Sequence, residues 1–287
     1  MQSLIDQANI LIESLPYIKD FFGKTIVVKY GGSAMTDSTL KEKVIEDIVL
    51  MKLVGMKPVV VHGGGPAIDS MLKKTGKKPS FHNGLRITDP ETMEVTEMVL
   101  SGKVNKEIAG LFQKHNIPSA GISGKDGNTI LAKKIEVTGA DIGSVGEVEK
   151  VNTRLISVLM ENNFIPVIAP VSSDIVGNTY NINADAAASA IAGALKAEKL
   201  IYLTDTSGIL SDINNQETLI SKLTLEAAEN LIETGVISGG MIPKIGCSIN
   251  AVKDGVKAVH IIDGRLEHSL LLEIFTKTGI GTLIKKD

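Results

Sequence analysis

The chain has 287 residues, 43% of them hydrophobic but only 3% aromatic, and its 30 basic and 33 acidic side chains give a net charge of −3 at pH 7. Charges of both signs are interspersed, which argues against a nucleic-acid-binding surface and favours small-molecule chemistry. There is no apolar run near the ~18 residues of a membrane span, no leader-like start and only one cysteine, Cys247, in no metal-ligand spacing, so we expect a cytoplasmic protein without membrane contact, disulfide or protein-held metal.

The first part of the chain predicts a helix followed by alternating strands and helices. Leu4, Ala8, Leu11, Ile12 and Leu15 recur at helical spacing ahead of a proline, which predicts an opening amphipathic helix whose apolar stripe needs a partner. Residues 81–90, FHNGLRITDP, are polar and turn-rich and are expected to form a functional loop. The other predicted elements are strand 25–29, helix 39–54, strand 58–62, helix 66–74 and a helix from 90 toward 112.

The second part predicts two β excursions and then renewed alternation. The Asp126-Gly127 pair between SAGIS and TILAKKI predicts a hairpin, and TGADIGSVGEVEKV predicts another strand region; both would be antiparallel flaps beside a main sheet. The alternation as a whole predicts an α/β fold on a mainly parallel sheet. The later predicted elements are helix 153–162, strand 165–169, helix 184–196, strand 199–203, helices 224–234 and 240–253, strand 257–262 and helix 267–276.

Two predicted strands run into glycine-rich turns, VVKYGGS at 27–33 and VVVHGGGP at 59–66. The carboxyl ends of parallel strands lie at one edge of a sheet, so both turns should face one crevice. Exposed amides and a helix N-terminus there would bind an anion such as phosphate. Tight turns without function are the alternative for either motif alone, and the sequence has no Walker A loop, no strand-linked G-x-G-x-x-G and no protein-kinase motif.

Three charged residues lie at positions for which a purely structural role is a poor explanation. Lys29 follows three apolar strand residues, Lys244 lies about one turn into a predicted helix, and Asp185 lies in the first turn of an alanine-rich helix. Taken singly, the lysines are typical of surface cations, and Asp185 is typical of a helix start capped by Asn183. Taken together, they predict a carboxylate that holds two ammonium groups beside a phosphoryl group in transfer, because that reaction depends on positioning and electrostatics.

Six segments follow one another along the chain: VVKYGGS, VVVHGGGP, NGLRITD, NINADAAASAIA, LTDTSGIL and GGMIPK. Together they resemble the amino-acid kinase family and, within it, the N-acetyl-L-glutamate kinases of the arginine-sensitive type. The resemblance implies a three-layer αβα sandwich with a mainly parallel central sheet. It also implies transfer of the γ-phosphoryl group of ATP, with Mg²⁺ bound to the ATP, to the side-chain carboxylate of N-acetyl-L-glutamate in arginine biosynthesis.

By matching positions in these segments, the resemblance implies roles for individual residues. Lys29 and Lys244 would stabilise the transition state, and Asp185 would orient both. His62 matches no catalytic role and is expected to be structural. The implied contacts are Gly31, Gly32, Gly64 and Gly65 with the phosphoryl group, Gly64, Gly65, Arg86 and Asn181 with the acceptor substrate, and Thr204, Asp205, Ser207 and Gly208 with the nucleotide.

The resemblance also implies two lobes: residues 1–195 for the amino-acid substrate and dimerisation, and residues 196–287 for the nucleotide. The N-terminal helix, about 1–20, would link dimers into a hexamer, a trimer of dimers, and L-arginine would inhibit by binding between this helix and the C-terminal segment. The alternative is a helix that packs onto its own subunit. Candidate arginine contacts are Tyr17, Lys196, His268 and Glu273.

Two classes of alternative and one further partner remain open from the sequence. Another phosphotransferase of the same family, such as an aspartokinase or a UMP kinase, is one class, although a UMP kinase would not require the NGLRITD segment. A non-catalytic arginine sensor is another, although it would be expected to lack one of the three charged residues. A signalling protein of the PII type is a further partner on which the sequence does not decide.

Overall fold

The computed structural model describes residues 2–212, 215–237 and 239–286, and fourteen strands lie within them. Side chains are described for these residues except at positions 2, 3, 4 and 7, so the side chain of Leu4 in the predicted apolar stripe lies outside the described set. The strands are β1 (Thr25–Tyr30), β2 (Lys57–His62), β3 (Phe81–His82), β4 (Leu85–Arg86), β5 (Ser119–Ser123), β6 (Ile130–Lys134), β7 (Val145–Val151), β8 (Ile165–Ala169), β9 (Val171–Ser173), β10 (Thr179–Ile182), β11 (Lys199–Thr204), β12 (Lys222–Thr224), β13 (Ala258–Asp263) and β14 (Thr282–Lys285).

Eleven α-helices lie in the same ranges. They are α1 (Gln2–Glu13), α2 (Leu15–Phe21), α3 (Ser38–Leu53), α4 (Gly65–Lys74), α5 (Pro90–Glu97), α6 (Asn105–Gln113), α7 (Arg154–Glu161), α8 (Ala184–Ala194), α9 (Leu225–Glu233), α10 (Met241–Lys253) and α11 (Ser269–Ile274). A π-helical segment, Met98–Val104, joins α5 to α6. Within this described part of the chain, no helix is long and apolar enough to cross a membrane.

Eight strands form the central sheet in the order β12-β14-β13-β11-β1-β2-β8-β5. Every neighbouring pair in it is parallel except β13 and β14, which confirms the mainly parallel sheet expected from the sequence. In the middle of the sheet, Lys29 lies beside Val61 and Tyr30 beside His62. Because parallel strands end at the same edge, the two glycine turns that follow β1 and β2 are neighbours.

Helices cover both faces of the central sheet, which confirms the three-layer arrangement. Along β1, Ile26 and Val28 pack into one core and Val27 into the other, because successive strand residues point to opposite faces. The first core includes residues of α3, α4, α6 and α11, and the second includes residues of α7, α8, α9 and α10. Burial on both faces explains why these strands are continuously apolar in the sequence.

The hairpin predicted around Asp126 and Gly127 was wrong. β5 is the edge strand of the central sheet, parallel to β8, whereas β6 pairs with β7 and β9. The carboxylate of Asp126 accepts hydrogen bonds from the amide and the hydroxyl of Ser123 at 2.7 and 2.8 Å, so it ends β5 instead of closing a two-residue turn. β6, β7, β9 and β10 close a small barrel that the sequence did not predict, although it expected antiparallel strands in the β6 and β7 regions.

Three other regions differ from their predictions. α1 ends at Glu13 and α2 begins at Leu15 with a proline in its first turn, so the single helix expected over about residues 1–20 is two helices. The single helix predicted from 90 to 112 is interrupted by the π-helical segment. The short strands β9, β10, β12 and β14 were not predicted, since three or four residues carry too little pattern to be recognised.

Candidate active site

Asp185 lies between two lysines at the carboxyl edge of the central sheet. Its Oδ1 is 2.9 Å from the Nζ of Lys29, and its Oδ2 accepts a hydrogen bond of 2.5 Å from the Nζ of Lys244. The three side chains expose only 18%, 14% and 13% of their surface, respectively. The structure therefore brings together the three charged residues that the sequence singled out, and one carboxylate shared by two ammonium groups leaves a net positive charge for an anion.

Strand alternation directs Lys29 to this point. Lys29 is the fifth residue of β1 and points to the same face of the sheet as Val27, which packs in the core that α8 and α10 cover. Lys29 also lies beside Tyr202 of β11 in the parallel register. A lysine at the end of an otherwise buried strand is therefore placed opposite the starts of two helices.

The starts of α8 and α10 supply the other two charges. The Oδ1 of Asn183 accepts hydrogen bonds from the amides of Asp185 and Ala186 at 2.8 and 3.2 Å, which confirms the predicted N-cap and puts Asp185 in the first turn of α8. Lys244 is the fourth residue of α10. The two helices pack closely because α8 is rich in alanine, and a Cβ on Gly193 would lie 2.7 Å from the Cβ of Asp254, which follows α10.

The environment of Asp185 keeps it charged. Burial disfavours the carboxylate, but the ammonium groups of Lys29 and Lys244 outweigh this, and the pKa of Asp185 is lowered. Tyr202, which the sequence analysis missed, supports the cluster: its ring centre is 5.1 Å from the Nζ of Lys244, and its hydroxyl donates to the carbonyl of Asp185 at 3.2 Å. An aromatic residue in the strand segment KLIYLT was the only signal for it in the sequence.

The first glycine turn lies against both Lys29 and Asp205. A Cβ on Gly31 would be 2.6 Å from the Nζ of Lys29, so the ammonium group occupies the space that a side chain would need. Gly32 has a φ of +67°, and a Cβ there would lie 2.5 Å from the Oδ1 of Asp205. The same carboxylate oxygen accepts a hydrogen bond of 2.7 Å from the amide of Ser33. Asp205, which directly follows β11, thus stabilises the turn after β1. The sequence did not predict this hydrogen bond.

The second glycine turn, Gly63 to Gly65, lines two neighbouring cavities. The first, here called the glycine cavity, has a volume of about 250 Å³ and is also lined by Lys29 and the first glycine turn. The second, here called the Arg86 cavity, has a volume of about 160 Å³ and contains Arg86 and Asn181 in its wall. The predicted acceptor-binding residues therefore meet in one cavity that the second glycine turn connects to Lys29.

Arg86 is placed by the short β3–β4 hairpin, which forms inside the predicted functional loop. It is 8% exposed, its Nη1 donates to the Oδ1 of Asp69 at 2.6 Å, and its Cζ is 4.8 Å from the centre of the Phe81 ring. Asp69 lies on α4, directly after the second glycine turn, and was not singled out in the sequence. The guanidinium group is thus oriented from two sides at the wall of the cavity.

The predicted nucleotide-binding residues lie on the other side of the lysine pair. One cavity, here called the Asp205 cavity, is lined by Lys29, Gly32, Thr204, Asp205 and Lys244, among others. A neighbouring cavity shares Thr206 and Met241 with it and includes Gly208. Ser207 directs its hydroxyl to the Oε1 of Gln216 at 2.6 Å. Within the described ranges, no group of three or more His, Cys, Asp or Glu side chains is arranged to hold a metal ion.

Three of the four candidate arginine contacts, Tyr17, His268 and Glu273, lie in or against the C-terminal helix, whereas Lys196 lies after α8. The Tyr17 ring packs edge-on against Phe275 with ring centres 6.5 Å apart, which joins α2 to the end of α11. Lys196 follows α8 with a φ of +47°. His268 precedes α11 and donates from its Nδ1 to the Oδ1 of Asp47 on α3 at 2.6 Å.

The Glu273 carboxylate is engaged inside the fold. It accepts hydrogen bonds from the Nδ1 of His260 at 2.5 Å and from the amides of Ile280 and Gly281 at 2.6 and 3.2 Å. Burial raises the pKa of Glu273, but these donors outweigh it, and the pKa is lowered. The residue is 8% exposed, so any ligand would have to share the carboxylate with these three donors.

Comparison with known proteins gives one consistent family. The model of the amino acid kinase family matches residues 24–263. The acetylglutamate kinase of Thermoanaerobacter pseudethanolicus is 57% identical over 99% of this chain and 94% of its own length. The acetylglutamate kinase of Methanocaldococcus jannaschii is 51% identical over 100% of this chain and 99% of its own length.

Solved structures agree with this fold. The N-acetylglutamate synthase of Neisseria gonorrhoeae, complexed with coenzyme A and N-acetyl-glutamate, superimposes with a TM-score of 0.86 at 28% identity. The match covers 98% of this chain, which spans 63% of that synthase. The carbamate kinase of Giardia lamblia superimposes with a TM-score of 0.66 at 18% identity over 92% of this chain and 99% of its own, which shows a shared fold.

Proposed function

Since the chain belongs to the amino acid kinase family and is a phosphotransferase, we propose that it transfers the γ-phosphoryl group of ATP to the side-chain carboxylate of N-acetyl-L-glutamate. The product would be N-acetyl-L-glutamyl 5-phosphate, an acyl phosphate, made in the cytoplasm for arginine biosynthesis. The observation that carries the proposal is the Asp185 carboxylate between Lys29 and Lys244, at a point that borders the glycine cavity on one side and the Asp205 cavity on the other.

The two lysines would act on the phosphoryl group in transfer. Charge accumulates on its oxygens in the transition state, and fixed cations in a partly buried site stabilise that charge more strongly than water does. Lys29 borders both the glycine cavity and the Asp205 cavity, whereas Lys244 borders the Asp205 cavity. Lys29 is therefore placed to stabilise charge on the transferred phosphoryl group, and Lys244 to stabilise charge on the side of the leaving nucleotide. Asp185 would hold both without contacting the phosphoryl group.

The Arg86 cavity would bind the acceptor. Arg86 would pair with the α-carboxylate, since a guanidinium group presents two parallel donors that match a carboxylate. Asn181 would donate a hydrogen bond to the same substrate. The amides of Gly31, Gly32, Gly64 and Gly65 would then surround the phosphoryl group where the two glycine turns meet.

The nucleotide would enter from the Asp205 cavity, with Thr204, Asp205, Ser207 and Gly208 near it. Mg²⁺ would arrive bound to the phosphates of ATP, as Mg²⁺ usually does. It would neutralise phosphate charge there.

The reaction needs no general base, because the side-chain carboxylate of the acceptor is ionised near neutral pH. What the enzyme would have to supply instead is protection of the acyl phosphate from water. We propose two lobes, residues 1–195 and 196–287, whose closure over the lysine pair would exclude water during transfer.

A hydroxamate-trapping assay tests the function directly, because hydroxylamine captures acyl phosphates. The protein is incubated with MgATP and, in separate reactions, N-acetyl-L-glutamate, L-glutamate, L-aspartate and UMP, with nucleotide release followed in parallel. Hydroxamate is expected with N-acetyl-L-glutamate far above the other acceptors. Equal or greater turnover of any other acceptor would refute the proposed substrate.

We further propose feedback inhibition by L-arginine in a hexamer built as a trimer of dimers. The supporting observations are an α1 helix that contacts little of its own chain beyond α2 and leaves apolar residues exposed, and the contact of Tyr17 with Phe275 at the C-terminal helix. Arginine would bind between these segments near Tyr17, Lys196, His268 and Glu273. A PII-type protein would be a further partner of such a ring.

A further inference from the structure

His62 ends β2 and directly precedes the second glycine turn, yet it lines none of the cavities described above. Its side chain is fully buried. Its Nδ1 is 2.7 Å from the carbonyl oxygen of Gly63, and its Nε2 is 3.1 Å from the Nδ2 of Asn105. The imidazole thus connects the glycine turn to a residue 43 positions further along the chain.

The contacts of Asn105 determine which imidazole nitrogen carries the proton. The Nδ2 of Asn105 also lies 2.9 Å from the carbonyl oxygen of Val167 and 3.1 Å from that of Ile122, and both atoms only accept hydrogen bonds. This atom is therefore the amide nitrogen, whose two hydrogens are shared among the two carbonyl oxygens and the Nε2 of His62, and which cannot accept a hydrogen bond from Nε2. The Gly63 carbonyl oxygen likewise only accepts, so the proton of the neutral imidazole resides on Nδ1, which donates to that oxygen. Burial lowers the pKa of His62 to about 4, which keeps this neutral form at physiological pH.

The Gly63 carbonyl determines where the next amide points. A trans peptide is planar, so the N–H of Gly64 points opposite to the carbonyl of Gly63 and away from the imidazole. Gly64 borders both the glycine cavity and the Arg86 cavity. Its N–H has no acceptor among the residues that the structure describes, whereas the Gly63 amide donates to the carbonyl of Tyr30 at 2.8 Å. The Gly64 donor is therefore free for a ligand.

Asn105 is held in turn by the central sheet and by the π-helical segment. Val167 lies on β8 and Ile122 on β5, so the asparagine is tied to two strands, and it is fully buried. It begins α6 immediately after the π-helical segment, a type of distortion that is frequent at functional sites. Leu100 of that segment covers Gly64, where a Cβ would lie 2.5 Å from the leucine Cδ2. The segment from 98 to 105 therefore contacts Gly64 through Leu100 and the imidazole of His62 through Asn105.

We propose that His62 and Asn105 are positioning residues that set the orientation of the Gly63–Gly64 peptide and so direct the Gly64 N–H at the phosphoryl group in transfer. This extends the expectation that His62 is only structural, and it rests on the proposed function. The effect belongs to the transition state, since the negative charge on the phosphoryl oxygens is greatest there, and not to the binding of the acceptor by Arg86.

Two substitutions separate the two hydrogen bonds of the imidazole. In His62→Asn, the side-chain amide can take the place of Nδ1 and still donate to the Gly63 carbonyl. In His62→Gln, the longer side chain reaches the place of Nε2 and retains the contact with Asn105 but not the donor to Gly63. We expect His62→Gln to lower kcat about 100-fold, the loss typical of one misdirected oxyanion donor, with the KM for N-acetyl-L-glutamate changed less than about threefold. His62→Asn should retain kcat within about tenfold.

A matched control is His260→Gln, which removes another buried histidine of the same sheet that lines none of the described cavities. It should lower the thermal midpoint without changing kcat, measured without arginine. Wild-type kcat in His62→Gln, or an equal loss of kcat in His62→Asn and His62→Gln, would overturn the proposal. A rise in KM for the acceptor as large as the fall in kcat would do the same.

A measurement on the unmodified protein keeps the test independent of turnover and of variant folding. Nitrogen-15 NMR, with the His260 signals assigned by their loss in His260→Gln because the Nδ1 of His260 also carries a proton for Glu273, should show the His62 imidazole protonated on Nδ1 and not titrating between about pH 5.5 and 8, given its lowered pKa. A proton on the Nε2 of His62 would contradict the proposed link even if the enzyme phosphorylates N-acetyl-L-glutamate. Failure to phosphorylate that acceptor would instead refute the proposed function and leave the imidazole result standing.

Discussion

The ammonium group of Lys29 is confined by two neighbours of different kinds. The carboxylate of Asp185 attracts it, and the absence of a side chain on Gly31 provides the space that it occupies. The group is therefore pre-oriented before any substrate arrives, which is the condition under which a charge contributes most to a transition state.

Replacement of Lys29 by alanine should lower kcat by about 10² to 10³, because one fixed electrostatic group is removed from the transferred phosphoryl group. Steady-state kinetics with N-acetyl-L-glutamate and MgATP measure the effect. Lys24→Ala, an exposed lysine just before the same strand, is the matched control and should leave kcat unchanged. Wild-type turnover in Lys29→Ala would show that the lysine pair is not the catalytic centre.

Arg86 should act mainly on binding of the acceptor. Arg86→Ala is expected to raise the KM for N-acetyl-L-glutamate about 10- to 100-fold, the range for loss of a charge-assisted hydrogen-bonded pair, with a smaller change in kcat. Asp69→Asn should change the same constant in the same direction but by less, since it loosens one side of the guanidinium group. A normal KM in Arg86→Ala would place the α-carboxylate elsewhere.

At the scale of elements, a buried carboxylate on α3 forms a hydrogen bond with the residue that precedes α11. Asp47 is fully buried on α3, and its Oδ1 accepts a hydrogen bond from the Nδ1 of His268. Burial raises the pKa of Asp47 to about 6, although His268 and the amides of Leu270 and Leu271 act in the opposite direction. The native protein therefore retains this proton to a higher pH than the unfolded chain does.

The raised pKa of Asp47 makes its contribution to the free energy of unfolding depend on pH. Between about pH 4 and 6 the native state binds more protons than the unfolded state, so the contribution of Asp47 to the free energy of unfolding falls as pH rises. Asp47→Asn removes this term while retaining an acceptor for His268. The free energy of unfolding of the variant minus that of the wild type should rise by up to about 3 kcal/mol from pH 4 to pH 7, at roughly 1.4 kcal/mol per pKa unit.

Urea denaturation at several pH values measures that difference, and subtraction cancels the titrating groups that do not contact Asp47. Asp37→Asn is a suitable control, since Asp37 caps the start of the same helix from an exposed position. A difference between Asp47→Asn and wild type that does not change from pH 4 to 7 would show that Asp47 is ionised in the native state at low pH.

For the whole molecule, α1 is the feature that the fold of a single chain does not explain. Ile10, Leu11 and Ile12 are 62%, 71% and 65% exposed. Adjacent exposed apolar side chains of this kind are typical of an interaction surface. In the proposed hexamer, a second copy of the same helix would cover them.

Deletion of α1 should therefore change assembly and regulation without changing chemistry. The full chain is expected to be a hexamer inhibited by L-arginine. The form without residues 2–13 is expected to be a dimer that arginine no longer inhibits, with kcat within about twofold because α1 lines none of the described cavities. Light scattering and an arginine titration of both forms measure this.

Leu11→Lys is a milder variant with the same expected direction, since it places a charge in the apolar surface. A full-length dimer whose rate is unaffected by arginine would refute the regulatory proposal. It would leave the proposed reaction intact, because the lysine pair lies elsewhere in the chain.

Much of the site could be predicted because its residues lie next to strong local signals. Lys29 follows a buried strand, Asp185 follows an N-cap asparagine, and Lys244 follows a helix start. Glycine turns after adjacent parallel strands must share one edge of the sheet. The topological rule placed the glycine turns together, and the needs of phosphoryl transfer together with the family resemblance placed the three charged residues beside them.

Other features could not be predicted because they depend on contacts between distant segments. The hydrogen bond between Ser33 and Asp205 joins residues that are 172 positions apart in the chain, and the hydrogen bond between Asp47 and His268 joins residues that are 221 positions apart. The path from β5 into the small barrel depends on the side chain of Asp126, which accepts hydrogen bonds where a hairpin turn was expected. A one-dimensional pattern carries no information about such partners.

The amino-acid sequence by itself determined the α/β alternation, the mainly parallel sheet and the identities of the three charged residues, because period-2 and period-3.6 burial and helix capping are local properties. Only the tertiary structure decided how the glycine turn is oriented. The imidazole of His62 acts through Asn105 and the strands behind it, and a hydrogen-bond direction is defined only when all of its partners are in place.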